Sequence, residues 1–436
     1  MYKVLKNSWA LFTGMFIMMI ANGLQINLLG VRSVIENFNV ITTGIFMSGY
    51  FVGYFLGSHT TPILVSKVGH IRVFAAFASL ASLSILIAVI FVNPAVWTLS
   101  RFISGFSLVS CYIVAESWLN DRATNKTRGK ILSAYMITIF IGMGIGMLLL
   151  NVSTPKNYEP FILVSLLMSL ALVPILLTKR SAPKFKKIGT ISVKELYNIS
   201  PLGTVSSFCT GLIHSALFSL MAVYASIVKF TVFEISILLF IITISGVLTQ
   251  VPIGYLSDKF DRRLVITSST FGGAIFALLA IIVSGSSLEN MYLATELGFS
   301  KILFFISIAL YAGLCLPLFS LNLAHTNDFV PKEKFVAAGG GLQLIFGVGA
   351  IGGPIICTLF MSLIGANGFF IYLITFHIII GVFALFRMKV RKTEVNPDST
   401  FTPLPATITP VGLELDPDTP VEPILSSSDS KEAKQI

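Results

Sequence analysis

Gly254-Tyr255-Leu256-Ser257-Asp258-Lys259-Phe260-Asp261-Arg262-Arg263 is the stretch whose reading decides the fold. It stands between two long apolar runs. A segment this charged does not stay in hydrocarbon, and one this short cannot be a domain. It is expected to be a tight turn between two membrane helices, with Lys259, Arg262 and Arg263 holding it on the cytoplasmic side.

The whole chain supports that setting. Its 436 residues are 55% hydrophobic and 11% charged, with a mean hydropathy of +0.86. A soluble domain of that composition would turn apolar surface to water nearly everywhere, so the expected class is an all-α, polytopic membrane protein. The net charge of +10 would suggest a nucleic-acid partner in a soluble chain; here the positions of the basic residues matter more, and no nucleic acid is expected. Cys111, Cys209, Cys315 and Cys357 lie singly in apolar runs. They are expected to be buried small hydrophobes, with neither a disulfide nor a metal.

A spanning helix takes about 20 apolar residues. Such segments run from Trp9 to Gly30, Val40 to Leu64, Val73 to Val92, Pro94 to Trp118, Ile131 to Asn151 and Pro160 to Thr178, then from Leu202 to Val228, Phe233 to Ser257, Leu264 to Ser284, Lys301 to Ala324, Phe335 to Ile364 and Gly368 to Arg387. Lys3 and Lys6 before the first run give it a signal-peptide look, but the run is too long and has no convincing cleavage site. With both termini cytoplasmic, Lys and Arg collect in the inner segments. Only Arg32, Lys156, Lys229 and Lys301 fall outside, and Arg101 falls within a span, which is a strong positive-inside signal.

The expected organisation is a six-span half over 1–178, a basic cytoplasmic linker over 179–201, a second half over 202–388 and a tail over 389–436. The linker carries six basic residues against Glu195, which also suits contact with anionic lipid. The tail is rich in Pro, Ser, Thr and acids and has too few apolar residues for a core, so disorder is expected. The halves repeat faintly. Pro62 to Arg72 can be laid on Gly254 to Leu264, so that Leu64 meets Leu256, Lys67 meets Lys259 and Ser66 meets Asp258.

With these residues in view, Gly254 to Arg263 resembles the signature loop of the major facilitator superfamily, and the likeness extends over nearly the whole chain. Leu28 to Arg32, Val68 to Phe74, Arg101 to Phe106, Glu116 to Asn120 with Arg128-Gly129, and Leu316 to Asp328 resemble in particular its bacterial YcaD-like branch. The resemblance implies two pseudo-symmetric six-helix bundles, a central cavity lined by the first, fourth, seventh and tenth helices, alternating access and a monomeric carrier in a bacterial inner membrane. Two departures stand out. Ser66 replaces the aspartate of the first signature loop, and Gly142-Met143-Gly144-Ile145-Gly146 lacks the proline that marks many drug antiporters.

Arg101 lies about 8 Å to the outer side of its span's midpoint, at about 1.5 Å per residue. A charge at that depth is costly and points to a cavity or helix-coupling role; snorkelling past Trp97 is the alternative. His214, mid-span on the seventh helix, could carry a proton or bind solute, or could be a hydrogen-bonded core residue. His377 is equally deep on a peripheral helix, where a structural role is expected, and His59 is expected at a helix contact. Asn22, Gln25, Tyr50, Tyr54, Tyr112, Gln250 and Gln343 complete a candidate polar path. Glu116, about 22 Å along the helix from Arg101, is expected to meet Arg128, Lys67 or Arg72 at a cytoplasmic gate. Asp328 with Lys332 or Lys334 is the expected counterpart, with Gly254, Asp258, Arg262 and Arg263 as the rest of the latch and Asp258 capping the ninth helix. Gly49, Gly53 and Gly57, and Gly349 with Gly353, remove side chains from one helix face each. In the superfamily those two helices meet across the halves, so a rocking contact is expected there, with packing inside each half as the alternative.

No His-Glu-x-x-His and no phosphate loop is present, so neither an enzyme nor an ATP-driven pump is expected and no cofactor is implied. The reading that remains is a secondary transporter of a small organic solute, with proton coupling resting on His214. The alternatives are a drug-type exporter of lipophilic cations and a transporter-like receptor or sensor without flux.

Overall fold

The computed structural model describes residues 2–124, 126–177, 191–284, 299–390 and 399–419. Twelve helices long and apolar enough to cross a membrane are present among them, with no strand among the described residues. They are α1 (Tyr2–Ile35), α2 (Val40–Val68), α3 (His70–Ile90), α4 (Pro94–Arg122), α5 (Arg128–Leu148), α6 (Glu159–Leu170) continued by α7 (Leu172–Leu176), then, after the short α8 (Val193–Ile199), α9 (Pro201–Ile227), α10 (Val232–Lys259), α11 (Arg262–Ser284), α12 (Phe299–Cys315) continued by α13 (Leu318–Asn327), α14 (Phe335–Ile364) and α15 (Gly368–Val390).

Local chemistry sets the boundaries. Asn93 accepts from the Ala95 amide with Pro94 in the first turn of α4, and Thr231 and Glu234 form a reciprocal capping box on α10. Two spans are broken, and in each a proline is responsible. Pro174 has no N–H for the carbonyl four residues back, and α6 stops at Leu170. Pro317 does the same between α12 and α13. The carbonyl it frees, that of Gly313, accepts from Thr249 Oγ1 at 2.6 Å, so the break leaves no orphan there.

Three expectations change. The stretch from Gly254 to Arg263 is not a ten-residue turn: α10 continues to Lys259 and α11 begins at Arg262, leaving only Phe260 and Asp261 between them. Across that two-residue break Arg262 at the start of α11 pairs with Asp258 at the end of α10 at 3.0 Å. Part of the basic linker is ordered as α8, capped by Ser192 and anchored by buried Leu196; residues 178–190 lie outside the described residues. The tail is the largest change. Residues 399–419 are packed into the protein with Leu404, Ile408, Val411, Leu413 and Leu415 buried, whereas 391–398 and 420–436 lie outside the described residues. The tail has too little apolar surface to fold on itself, but the bundle lends it a second wall.

The glycine stripe on α2 also differs from the expectation. A Cβ on Gly53 would lie 2.0 Å from the Phe102 carbonyl and one on Gly49 2.8 Å from that of Thr98, while Gly57 faces Val109 and Phe106. All are on α4, inside the first half. Gly349 and Gly353 likewise press on Phe208 and Leu212 of α9. The close approach between α2 and α14 is made instead at Gly44, whose Cβ would lie 2.1 Å from Thr358 Oγ1 and 2.7 Å from the Pro354 carbonyl. Ser48 adds a hydrogen bond to the Ile351 carbonyl at 2.8 Å.

Candidate functional site

The halves meet firmly at one end. Besides α2 against α14, Gly30 of α1 packs on Ala222 and Val223 of α9, and Asn151 after α5 donates to Ser236 of α10 at 2.7 Å. At the opposite end, where Lys67, Arg128, Lys259 and Arg262 lie, residues 399–419 stand between the halves, bonded to Glu116 and Arg128 on one and to Asp258 and Arg262 on the other; we call this the basic end.

Between the two ends is a cavity lined by Asn22, Tyr50, Arg101, His214 and Gln250 among others. Besides α1, α4, α9 and the break at Leu316, residues of α2, α5, α10 and α14 contribute to the wall. Arg101 is 1% exposed. Its guanidinium carbon is 4.6 Å from the centre of the Tyr50 ring, and its Nε and Nη1 have no hydrogen-bond partner among the described residues. Among the described residues no Asp or Glu lines this cavity. Asn22 Oδ1, Gln250 Oε1 and His214 Nδ1 are also without partners, while His214 Nε2 is 3.0 Å from the Cys315 carbonyl exposed by the Pro317 break. That contact orients the ring and leaves Nδ1 as the free nitrogen. Buried polar groups are ordinarily satisfied, so two unpaired arginine nitrogens beside unpaired amide oxygens mark a place where a polar solute can complete the bonding.

Five of the sequence candidates therefore converge on one cavity. Tyr54 and Gln343 line a second one next to it, beneath the tail. Tyr54 donates to the Thr407 carbonyl at 2.5 Å and Gln343 to that of Ala406 at 3.0 Å. Gln25 and Tyr112 are buried outside the cavity wall, Tyr112 donating to Met19 Sδ at 2.9 Å. His377 approaches Tyr311 Oη at 3.2 Å, the structural contact expected of it. His59 is exposed and rests on Phe55 of its own helix, so it is not a contact between helices.

The expected gate pairs are replaced by others. Glu116 meets no base: it accepts from Tyr135 Oη at 3.2 Å, from the Thr409 amide at 3.2 Å and from the Thr409 hydroxyl. Arg128 donates to the Thr419 carbonyl at 2.6 Å. Lys67 and Arg72 point to the surface. Asp328 pairs with Arg262 at 3.1 Å, in place of Lys332 or Lys334, and Lys334 approaches Glu195 at 3.5 Å. Burial outweighs the attraction of Arg262 and pushes the Asp328 carboxyl up to about 7. Asp258 does not cap α11; Asp261 does, accepting from the Arg263 amide at 3.0 Å and pairing with its guanidinium at 2.7 Å. Asp258 accepts from the Phe401 amide of the tail at 2.9 Å, and Gly254 leaves room for the Phe401 ring, which a Cβ would approach to 2.3 Å. Arg262 completes the junction with bonds to Ser399.

The family profile described as Major Facilitator Superfamily matches residues 11–295 and again 203–422. The chain is 25% identical over 332 residues to the MFS-type transporter YcaD of Escherichia fergusonii, covering 75% of this chain and 82% of that protein. Its fold is similar to that of a variant of the nucleoside transporter NupG, with a TM-score of 0.73 and 15% identity over 87% of this chain and 99% of that chain. It is also similar to a bacterial homolog of the human lysosomal transporter Spinster in an inward-facing, unoccupied conformation, with a TM-score of 0.67 and 13% identity over 90% and 99%.

Proposed function

This chain belongs to the Major Facilitator Superfamily, and on that premise we propose that it carries a small organic anion across the membrane by alternating access of the cavity between its halves. The carrying observation is Arg101: a buried guanidinium facing a cavity without an acid, two of its nitrogens unpaired, beside amides and an imidazole that are unpaired as well. A carboxylate or phosphate fits the guanidinium by charge and by its planar fork, and hydroxyl or amine donors elsewhere on the solute would serve the acceptors Asn22 Oδ1, Gln250 Oε1 and His214 Nδ1. His214, with one nitrogen held by Cys315 and one free, is the candidate proton carrier. The basic end is assigned to the cytoplasm by the distribution of Lys and Arg, with both termini on that side. Direct contact of the halves at the far end and a tail segment bonded to both at the basic end support an inward-facing arrangement.

The test is thermal stabilisation of the purified protein by a panel of organic anions, nucleosides and lipophilic cations, in the parent protein and in Arg101→Ala, followed by flux in liposomes with the hits. A ligand at about a hundred times its Kd adds about 2.7 kcal/mol. Anionic hits that disappear in Arg101→Ala and give flux support the reading. Cationic hits that survive the substitution refute it and favour an exporter, and binding without flux favours a receptor. Flux of a hit that neither moves protons nor responds to a pH gradient removes the proton-carrier role of His214.

A further inference from the structure

The tail is bonded to both halves at once. On the first half it is held by Tyr54, Glu116, Asn120 and Arg128, and on the second by Asp258, Arg262, Ser320 and Gln343. Asn120 donates to the Val411 carbonyl at 2.5 Å, and Ser320 exchanges bonds with the Leu404 backbone at 3.0 and 3.2 Å. Pro405, Ala406 and Thr407 form part of the wall of the Arg101 cavity itself. The tail is therefore a ceiling over the cavity on the side of the basic end.

Its sequence suits such an insertion. Pro403, Pro405, Pro410 and Pro417 fix φ along the segment, which lowers the entropy lost on docking, and they have no N–H to satisfy. The carbonyls of Thr407, Val411, Ala406 and Leu404 are taken by Tyr54, Asn120, Gln343 and Ser320. Leu404, Ile408, Leu413 and Leu415 are at most 2% exposed. Leu413 sits over Gly339 and Pro417 over Gly129, at distances a Cβ on either glycine would violate. Glu116 is a buried carboxylate whose donors are Tyr135 and the tail's Thr409. Without Thr409 it would have to be hydrated or protonated, or the halves would have to close on it.

We infer that residues 399–419 are an intramolecular plug: docked, they seal the basic mouth of the cavity and wedge the halves apart there, so solute cannot pass and the mouth cannot close. The side chains that would have to meet for closure, Glu116, Arg128, Asp258 and Arg262, are the ones the tail occupies. Undocking is then a required step of turnover, and the tail is a built-in inhibitor of the carrier. The inference rests on the carrier reading only in taking the cavity as the solute's path.

Docking can be read without any solute. Ser219, which lines the cavity and is 2% exposed, is changed to Cys and its reaction with a membrane-impermeant anionic thiosulfonate is followed; the four native cysteines are buried, and the parent protein serves as blank. The same position is measured in a chain ending at residue 398 and in the full chain carrying Leu404→Asp with Ile408→Asp. Val152→Cys, exposed at the far end, reports any general loosening. The inference expects labelling of Ser219→Cys to accelerate about tenfold or more in both tail variants, since protection follows the opening equilibrium. It also expects an added synthetic peptide of residues 399–419 to restore protection to the truncated chain, with Val152→Cys unchanged throughout. Equal labelling rates with and without a docked tail overturn it, as does a peptide that gives no protection. Because no flux is measured, these failures are distinct from failure of the transport assay.

Discussion

Gly44→Ala tests how the two halves are held together. The added methyl would lie 2.1 Å from Thr358 Oγ1, 2.7 Å from the Pro354 carbonyl and 2.9 Å from Thr358 Cγ2. Thr358 cannot rotate away freely, because its hydroxyl is bonded to that same carbonyl at 2.8 Å, and the carbonyl belongs to the α14 backbone. Overpacking of this kind costs about 1–3 kcal/mol. The strain lies between the halves and in neither of their cores, so it burdens only arrangements in which α2 and α14 touch at this end. It should shift the equilibrium toward separation by about 5- to 150-fold. Spin labels at Val152→Cys and Phe233→Cys, exposed on the two halves near the Asn151–Ser236 bond, read the shift as a new population at longer distance. Gly53→Ala is the control. Its methyl would lie 2.0 Å from the Phe102 carbonyl within the first half, so it should lower Tm without moving the labels. If Gly53→Ala separates the labels and Gly44→Ala does not, the glycine stripe is the moving contact and the assignment made here is wrong.

Thr409→Val removes a hydroxyl donor from the buried Glu116 carboxylate while keeping the backbone N–H bond. Taking a donor from a buried acceptor costs about 1–3 kcal/mol, so labelling of Ser219→Cys should rise about fivefold or more; an unchanged rate would mean that Glu116 gains nothing from the tail. Asp416 gives docking a pH dependence. Burial, opposed by bonds from Asp418 and Thr402 and by nearby Arg128, pushes its carboxyl up to about 6 in the docked tail. An undocked tail returns it to the ordinary value of about 3.9, so docking takes up a proton. Its contribution to docking is full below about pH 4 and is lost as pH rises through about 6, a change of the order of 3 kcal/mol. Protection of Ser219→Cys should fall over that window, and Asp416→Asn should remove this part of the slope; the same slope in Asp416→Asn would assign it to another group.

The residues by themselves determined a great deal here. Hydropathy in runs of about 20 residues and the one-sided placement of Lys and Arg are local and additive, so twelve spans follow from them without any knowledge of packing. Burial cost alone singles out Arg101 and His214, because a charge or imidazole in hydrocarbon is conspicuous whatever surrounds it. Contacts between residues far apart in sequence are a different matter. That the α2 glycines face α4 while Gly44 faces α14 depends on how each helix is rotated, and a glycine spacing is the same on either face. That Glu116 meets Thr409 and not Arg128 depends on where a distant segment docks. The tail is the sharpest case: Phe401 to Leu415 is too short to build a core of its own, and the Pro-, Ser-, Thr- and acid-rich composition of 389–436 as a whole places it with disordered chains. Only the tertiary structure supplies the missing wall, since the bundle buries Leu404, Ile408, Leu413 and Leu415 and offers side-chain donors to the carbonyls of Leu404, Ala406, Thr407 and Val411. Composition measures what a segment can bury against itself, and the bundle decides what it can bury against something else.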